Sequence, residues 1–190
     1  MDLMLDIETL GLEPLSVITQ IAAVPFDFKD NSLNFGIDYN INLNNCLNNG
    51  AVINGDTLLW TIKNNLQSLE NQERRFTISE ALLRLQWYIH DIKPECIWAK
   101  SPQFDCSMLE IWYKRCELAI PWKYNQLRDV RTIEYFGRTK LGLGSELDQL
   151  HDKYGKKLHN PTTDCHYQIE MVRLVMDFPT PKRVQFVVES

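Results

Sequence analysis

The sequence has no hydrophobic run near the ~18 residues that a membrane-spanning helix needs. Residues 1–11 also lack the basic segment of a secretory leader and carry acids within an apolar stretch instead. Both absences argue against a membrane protein and against an exported one. We therefore expect a cytoplasmic protein with no membrane partner.

The cysteines are scattered, with no closely spaced pair. The five cysteines include no Cys-x-x-Cys pair, which argues against a zinc ribbon or knuckle. Their odd number and wide spacing fit a reducing compartment, where free cysteines are ordinary small buried residues. The five are Cys46, Cys96, Cys106, Cys116 and Cys165.

Positive charge is also in short supply, because 20 Lys and Arg residues face 25 Asp and Glu residues for a net charge of −5. A protein that binds nucleic acid mainly by neutralising phosphates is usually basic. An acidic one needs a local basic patch or bound cations, and carboxylates that gather metal ions would reconcile the sign. The composition is otherwise that of an ordinary globular protein, and the length suits one domain over residues 1–190.

The first part of the chain predicts three strands. Residues 2–8 and 17–24 are short apolar segments separated by the turn residues Gly11 and Pro14. From position 33 to position 43 every odd residue is apolar, a period-2 alternation typical of a half-buried strand. Three consecutive strands with short connections favour an antiparallel meander.

Helices and a short strand follow. Thr77 and Glu80 have capping-box spacing ahead of an apolar helical stripe. Residues 96–99 predict a short buried strand, and residues 105–117 and 164–176 predict helices. A meander followed by alternating helices and strands indicates an α/β fold.

Two segments are harder to assign. Residues 44–56 are rich in Asn and Gly, so we expect a mobile loop there. Residues 137–158 mix glycines with Leu147, Leu150 and Tyr154 at helical spacing. This second segment predicts a loop followed by a short helix.

Asp6 and Glu8 are the first candidates for chemistry. Residues two apart on a strand point to the same face, so both carboxylates project together while Leu5 and Ile7 face a core. Two acids on the inner side of a strand are unfavourable unless a cation meets them. The alternative is a frayed edge strand with two solvated acids, and this short pattern alone favours that alternative.

Further candidates lie near predicted helix starts. Asp105 follows a buried strand, where α/β folds place functional groups, although it could simply be a helix N-cap. Asp164 lies in the first turn of the last helix, with Thr162 or Thr163 as the cap, and could be no more than a helix-dipole acid. His159 lies on the incoming loop and could be an ordinary surface histidine.

Taken together and in order, these residues resemble the DEDDh family of 3′→5′ exonucleases. The matching motifs are Asp6-x-Glu8, Phe104-Asp105 and His159-x4-Asp164. Residues 5–11 and 18–24 resemble the family's first motif and second strand, so the resemblance extends over most of the chain. It implies a ribonuclease H-like fold whose mixed sheet, flanked by helices, contains the antiparallel three-strand meander.

Three parts of the chain resemble one branch of this family, residues 98–105, residues 128–132 and Trp60. That branch includes the mycobacterial-type 3′→5′ exoribonucleases and the exonuclease A of T-even phages. The implied reaction removes nucleoside 5′-monophosphates from the 3′ end of single-stranded RNA or DNA, with RNA slightly favoured. The alternative is a catalytically silent module that binds nucleic acid or a partner protein. Relatives of this kind are often homodimers.

The resemblance also implies a two-metal mechanism. The metal ligands would be Asp6, Glu8, Asp105 and Asp164. They would hold two divalent ions, Mg²⁺ or Mn²⁺ in its place, with Asp6 bridging the pair. His159 would act as the general base that takes a proton from the attacking water, a task that imidazole suits near neutral pH.

A second group of residues is implied to contact the substrate. Its members are Thr9, Leu10, Trp60, Phe104, Asp129 and Arg131. The two aromatic side chains could stack on terminal bases or belong to the core. Asp129 and Arg131 would lie near the cleft, or form an ordinary surface ion pair. Lys100 lies before the second motif, where relatives often have small residues. It could contact a substrate phosphate or be a solvated loop lysine, and the second alternative is slightly favoured.

Overall fold

The structure is a computed structural model and describes residues 1–29, 36–70, 75–155 and 159–177. Within these ranges the strands and helices are, in chain order, β1 (Asp2–Thr9), β2 (Ile18–Phe26), β3 (Ile37–Asn40), α1 (Leu43–Asn48), α2 (Gly55–Asn64), α3 (Ile78–Ile92), β4 (Ile97–Ala99), α4 (Asp105–Arg115), β5 (Leu127–Asp129), α5 (Val130–Phe136), α6 (Gly144–Tyr154) and α7 (Pro161–Met176). A π-helical turn over Gly137–Leu141 precedes α6. Among the described residues, no helix is both long and apolar enough to cross a bilayer.

The strands form one mixed sheet in the order β3-β2-β1-β4-β5. β1 pairs antiparallel with β2, and β2 with β3, which confirms the predicted meander. β1 also pairs parallel with β4, and β4 with β5. The N-terminal strand is therefore central, and the carboxyl ends of three parallel strands meet at one edge.

Helices cover both faces of the sheet. Leu3, Leu5 and Ile7 of β1 point to one face and pack in the cluster that includes buried residues of α3 and α4. Met4 points to the opposite face and packs in the cluster that includes Cys165 of α7. This alternation puts Asp6 and Glu8, the next two residues on the Met4 side, in front of α7.

Polar caps fix where the two longest helices begin. The Thr77 side chain accepts from the Glu80 N–H while the Glu80 carboxylate accepts from the Thr77 N–H, so the predicted capping box at α3 is confirmed. At α7 the cap is Asn160, whose Oδ1 accepts from the Thr163 N–H at 3.1 Å. The expected cap at Thr162 or Thr163 was wrong, because Asn160 directly precedes Pro161 and Pro suits the first helical position.

The third predicted strand is confirmed in part. Positions 33–35 lie outside the described residues, β3 covers Ile37–Asn40, and Ile41 makes an isolated bridge to Phe76. The loop expected over residues 44–56 is confirmed only at positions 49–54, because α1 extends to Asn48 and α2 begins at Gly55. Asparagine side chains cap both helices, Asn42 just before the segment and Asn54 within it, so an Asn-rich composition starts helices here.

Most of the remaining predicted elements agree with the structure. Residues 96–99, 105–117 and 164–176 contain β4, α4 and most of α7. In the segment 137–158, α6 confirms the predicted short helix, with positions 156–158 outside the described residues. The expected loop was wrong over Gly137–Leu141, which form the π-helical turn. The sequence patterns did not predict α5 or the short strand β5, whose three residues give too little alternation to detect.

Candidate active site

Three carboxylates from two elements converge beside the central strand. β1 presents Asp6 and Glu8 on one face, and the first turn of α7 brings Asp164 to them. One ligand oxygen from each of the three lies within 4.8 Å of the others. All three side chains are half-buried, so they are both accessible and partly removed from water. Oxygen donors this close together suit a hard divalent cation.

Asp105 supplies a fourth carboxylate at the start of α4. The residue is only 5% exposed, and its Oδ1 accepts a hydrogen bond of 3.3 Å from the backbone N–H of Ile7, between the two acids of β1. It makes no side-chain cap for α4, whose N-cap position is Phe104. The N-cap alternative for Asp105 therefore does not describe this residue, because its carboxylate faces β1.

His159 is tied to the carboxylate cluster through its backbone. Its N–H donates to Oδ2 of Asp164 at 2.8 Å, and its φ of 70° lies in the left-handed region. The imidazole packs edge-on against Trp60, with 4.8 Å between ring centroids and an interplanar angle of 84°. The Asn65 side-chain amide donates to the His159 carbonyl. Trp60 of α2 and its C-cap residue Asn65 thus contact the histidine in addition to Asp164 of α7.

One cleft of about 370 Å³ joins these groups. Its lining is Asp6, Ile7, Glu8, Lys100, Phe104, Asp105, His151, His159, Asp164, Tyr167 and Gln168. The four predicted carboxylates and the predicted general base all lie in this lining, although they come from three distant segments. The fold thus brings together in one cleft what the sequence places far apart.

Burial and mutual repulsion make the metal-free cluster reluctant to ionise. Burial, followed by the neighbouring carboxylates, raises the pKa of Asp6 well above its usual value and that of Glu8 to about 8. Burial also raises the pKa of Asp105 to about 7 and that of Asp164 above its usual value. A divalent cation would relieve this repulsion, so the donor set fits metal ions both in chemistry and in charge.

The predicted substrate-contacting residues next to β1 and on α2 differ in position. Phe104 lines the cleft. Thr9 donates its hydroxyl to the Gly11 carbonyl at 2.7 Å and so ties the turn after β1. The Leu10 side chain has 0% exposure and lies in the core, so the expectation that it contacts a terminal base does not fit this structure. Trp60 is 42% exposed and packs on the predicted base rather than in the core.

Asp129 and Arg131 lie beyond the cleft lining, where β5 leads into α5. Asp129 caps α5, because its Oδ1 accepts from the backbone N–H of Arg131 at 2.9 Å. The Arg131 charge lowers the pKa of Asp105 and the Asp129 charge raises it, so both act on that carboxylate electrostatically. Their hydrogen bond runs from the Arg131 backbone to the Asp129 side chain, which differs from the surface ion pair that was the alternative for these two residues.

Sequence reasoning missed Gln168 and gave Lys100 too little weight. Gln168 Nε2 donates to Oδ1 of Asp6 at 2.9 Å. Lys100 lies at the carboxyl end of β4 and lines the cleft, with Nζ 3.4 Å from a Glu134 oxygen and 5.4 Å from the Tyr167 ring centroid. The i, i+4 spacing of Asp164 and Gln168 on α7 could have signalled a shared face.

The overall architecture matches solved nucleases. E. coli exonuclease I in complex with a dT13 oligonucleotide superposes with a TM-score of 0.73 at 16% identity, over 91% of this chain and 40% of that chain. Exonuclease I from Methylocaldum szegediense gives 0.69 at 17% identity, over 95% and 41%. The nuclease domain of 3′hExo, a DEDDh family member bound to rAMP, gives 0.63 at 12% identity, over 93% and 92%.

These overlaps show the ribonuclease H-like fold of the DEDDh nucleases, as the motifs implied. The chain spans about two fifths of the length of the exonuclease I structures. No curated protein sequence matches it significantly. The sequence does match the 3′–5′ exoribonuclease Rv2179c-like domain over residues 1–176. The chain therefore belongs to the Rv2179c-like 3′–5′ exoribonuclease family.

Proposed function

We propose that this protein is a 3′→5′ exonuclease that removes nucleoside 5′-monophosphates from the end of single-stranded nucleic acid. One observation carries the proposal. Asp6, Glu8 and Asp164 bring ligand oxygens within 4.8 Å of one another, in a cleft that Asp105 and His159 also line. This constellation is an acid cluster for cations with a base beside it, in a chain whose family is one of exoribonucleases.

The proposed cofactors are two divalent ions, Mg²⁺ with Mn²⁺ as a substitute. Asp6, Glu8 and Asp164 would hold them, with Asp105 as the fourth carboxylate of the cleft. All these donors are carboxylate oxygens, which suit Mg²⁺ and Mn²⁺ better than softer metals. When bound, such ions supply activation of the attacking water and stabilise charge on the phosphoryl group.

His159 is the proposed general base. Its imidazole takes a proton from water as the water oxygen attacks the phosphorus of the last phosphodiester. The bond between phosphorus and the 3′ oxygen of the preceding nucleotide breaks, and that oxygen takes a proton from solvent to become the new 3′-hydroxyl. The backbone hydrogen bond from His159 to Asp164 keeps the base next to a metal ligand throughout.

The proposed substrate is single-stranded RNA in preference to DNA. The family description of an exoribonuclease supports RNA, whereas E. coli exonuclease I is a structural neighbour solved with DNA oligonucleotides. Phe104 offers a face for base stacking at the cleft wall, and Lys100 offers the cleft a cation for phosphate. Both contacts tolerate any base sequence.

Three broader expectations belong to the same proposal. All five cysteines are unpaired, which supports a reducing compartment such as the cytoplasm. The family match over residues 1–176 supports one domain over the chain. The homodimer common among relatives is tested by light scattering after size-exclusion chromatography, where a single monomer mass would reject it.

The proposal is tested by identifying the products of matched single-stranded RNA and DNA by chromatography. We expect nucleoside 5′-monophosphates with Mg²⁺ or Mn²⁺, faster release from RNA, and no release in EDTA. Nucleoside 3′-monophosphates would contradict the proposed bond cleavage. No product from either strand with either metal would favour the silent binding module.

A further inference from the structure

Gln168 is a buried polar residue that faces the carboxylate cluster. It lies on α7 one turn beyond Asp164 and is only 2% exposed. Its neighbours on the inner face of this helix are apolar, with Cys165, Ile169 and Val172 in the same core cluster. A hydrophobic side chain of similar length would pack there without a polar group to satisfy, so the amide calls for an explanation.

The amide nitrogen has a defined partner. Nε2 of Gln168 donates to Oδ1 of Asp6 at 2.9 Å, between the N-terminal strand and the last helix. A neutral donor orients a carboxylate without cancelling its charge, whereas Lys or Arg at this place would compete with a cation. The bond therefore fixes Asp6 and leaves the charge of Asp6 available to a metal ion.

The amide oxygen of Gln168, by contrast, lacks a hydrogen-bond partner in the part of the chain that the structure describes. Oε1 of Gln168 is buried, and no group among the described residues donates a hydrogen bond to it. Reversing the amide would point Oε1 at an oxygen of the ionised Asp6 carboxylate, so the hydrogen bond from Nε2 selects the present orientation for the charged form that binds cations. An unpaired buried acceptor is unfavourable in a protein that only has to fold.

We propose that Gln168 is a positioning residue of the cation site. Its Nε2 holds Asp6 in the orientation that receives the cations, and its Oε1 accepts a hydrogen bond from a water that enters the cleft with them. This inference rests on the metal binding in the proposed function and extends it to a residue that coordinates nothing. Partners of this kind typically contribute about 10- to 100-fold to metal affinity.

The test measures Mn²⁺ binding by isothermal titration calorimetry without nucleic acid, alongside thermal melting of the metal-free protein. Gln168→Met keeps the side-chain length and removes the amide, and Gln168→Asn keeps an amide too short to reach Asp6. We expect both variants to bind Mn²⁺ about 10- to 100-fold more weakly than the wild type. Gln168→Met should melt no lower than the wild type without metal, because it removes an unpaired buried acceptor.

Two further variants make the result specific. Met171→Leu changes a fully buried residue of the same helix in a swap that cores tolerate, and it should leave Mn²⁺ affinity unchanged. Asp6→Ala should abolish binding. If the wild type does not bind Mn²⁺, or if Asp6→Ala binds Mn²⁺ as well as the wild type, the metal proposal and this inference are both overturned. If the wild type binds and both Gln168 variants bind equally well, only the role of Gln168 is overturned, whatever their melting temperatures.

Discussion

The ring of His159 packs edge-on against the indole of Trp60, with 4.8 Å between the ring centroids. This contact joins α2 to the loop that precedes α7, and the Asn65 amide reinforces it by donating to the His159 carbonyl. The proposed base is therefore held from two sides, by α2 through its ring and by Asp164 through its backbone N–H. Trp60 therefore contacts the proposed general base, and we expect its main role to be to position that imidazole.

Trp60→Ala should lower kcat more than it raises KM. Removing the indole frees the imidazole, and misplacing a catalytic group by about 1 Å can reduce the rate roughly a hundredfold. Steady-state kinetics on a short single-stranded RNA measure both constants. Leu59→Ala is the matched control, because Leu59 is an exposed neighbour on the same helix. A rise in KM with unchanged kcat would instead show that Trp60 binds a nucleobase of the substrate.

Replacing the base itself should separate catalysis from metal binding. His159→Asn keeps the backbone N–H bonded to Asp164, and Asn tolerates the positive φ at this position. We expect kcat to fall about 10²- to 10⁴-fold, the usual contribution of general-base catalysis, with Mn²⁺ affinity unchanged. His90→Asn, at an exposed position of α3, is the control for a histidine remote from the cleft. Full activity in His159→Asn would remove the base from the mechanism.

The position of Lys100 in the cleft lining predicts how substrate binding depends on salt concentration. Lys100 lies at the end of β4 beside the carboxylates, and its charge lowers the pKa of Asp164. If it binds a substrate phosphate, Lys100→Met should raise KM for all sequences alike. The same change should reduce the slope of log affinity against log salt by about 0.7, the value for one phosphate contact on a single strand. Lys63→Met, on exposed α2, should leave the slope unchanged.

The raised carboxylate pKa values make the metal-free protein sensitive to pH. The pKa of Glu8 rises from 4.5 to about 8 on folding, and that of Asp105 from 3.8 to about 7. The folded state thus binds more protons at pH values between the unfolded and the folded pKa of each group. The contribution of these carboxylates to metal-free stability is therefore most favourable at the acid end and is lost as the pH rises from about 4.5 to about 8.

Thermal melting checks this sign. Without metal we expect a lower Tm near pH 8 than near pH 5.5, and Mn²⁺ should raise the Tm more at the higher pH, because cation and proton compete for the same oxygens. Glu8→Gln removes one titrating group and should weaken the pH dependence. A metal-free Tm that rises over this range would show that the cluster ionises without strain.

Part of this site could be predicted from the sequence, because it follows from local geometry. Asp6 and Glu8 share a face through the period of a strand, and the turn before Asp164 follows from Pro161. The sequence-based prediction was weaker where it depended on amino-acid composition alone. The Asn-rich segment forms α1 because a side chain caps it and Cys46 is buried beneath it, and composition shows neither.

The rest depends on contacts between distant residues. Nothing near Asp105 indicates that its carboxylate accepts from Ile7 rather than capping α4. The pairing of Trp60 with His159 likewise appears only once the fold has brought α2 and α7 together. Leu10 was expected at the substrate because it follows the acids in sequence, yet the strand ends there and its side chain turns into the core.

The carboxylate cleft is proposed to trim nucleic acid from the 3′ end. The most direct measurement is a timed digestion of a 5′-labelled single-stranded RNA with Mg²⁺, beside Asp6→Ala and beside the same RNA carrying a label at its 3′ end. We predict that the 5′-labelled RNA gives a ladder of steadily shorter products and that the 3′-labelled RNA releases a labelled mononucleotide immediately. Asp6→Ala should give neither product. Shortening that begins at the 5′ end, or that persists in Asp6→Ala, would contradict the account.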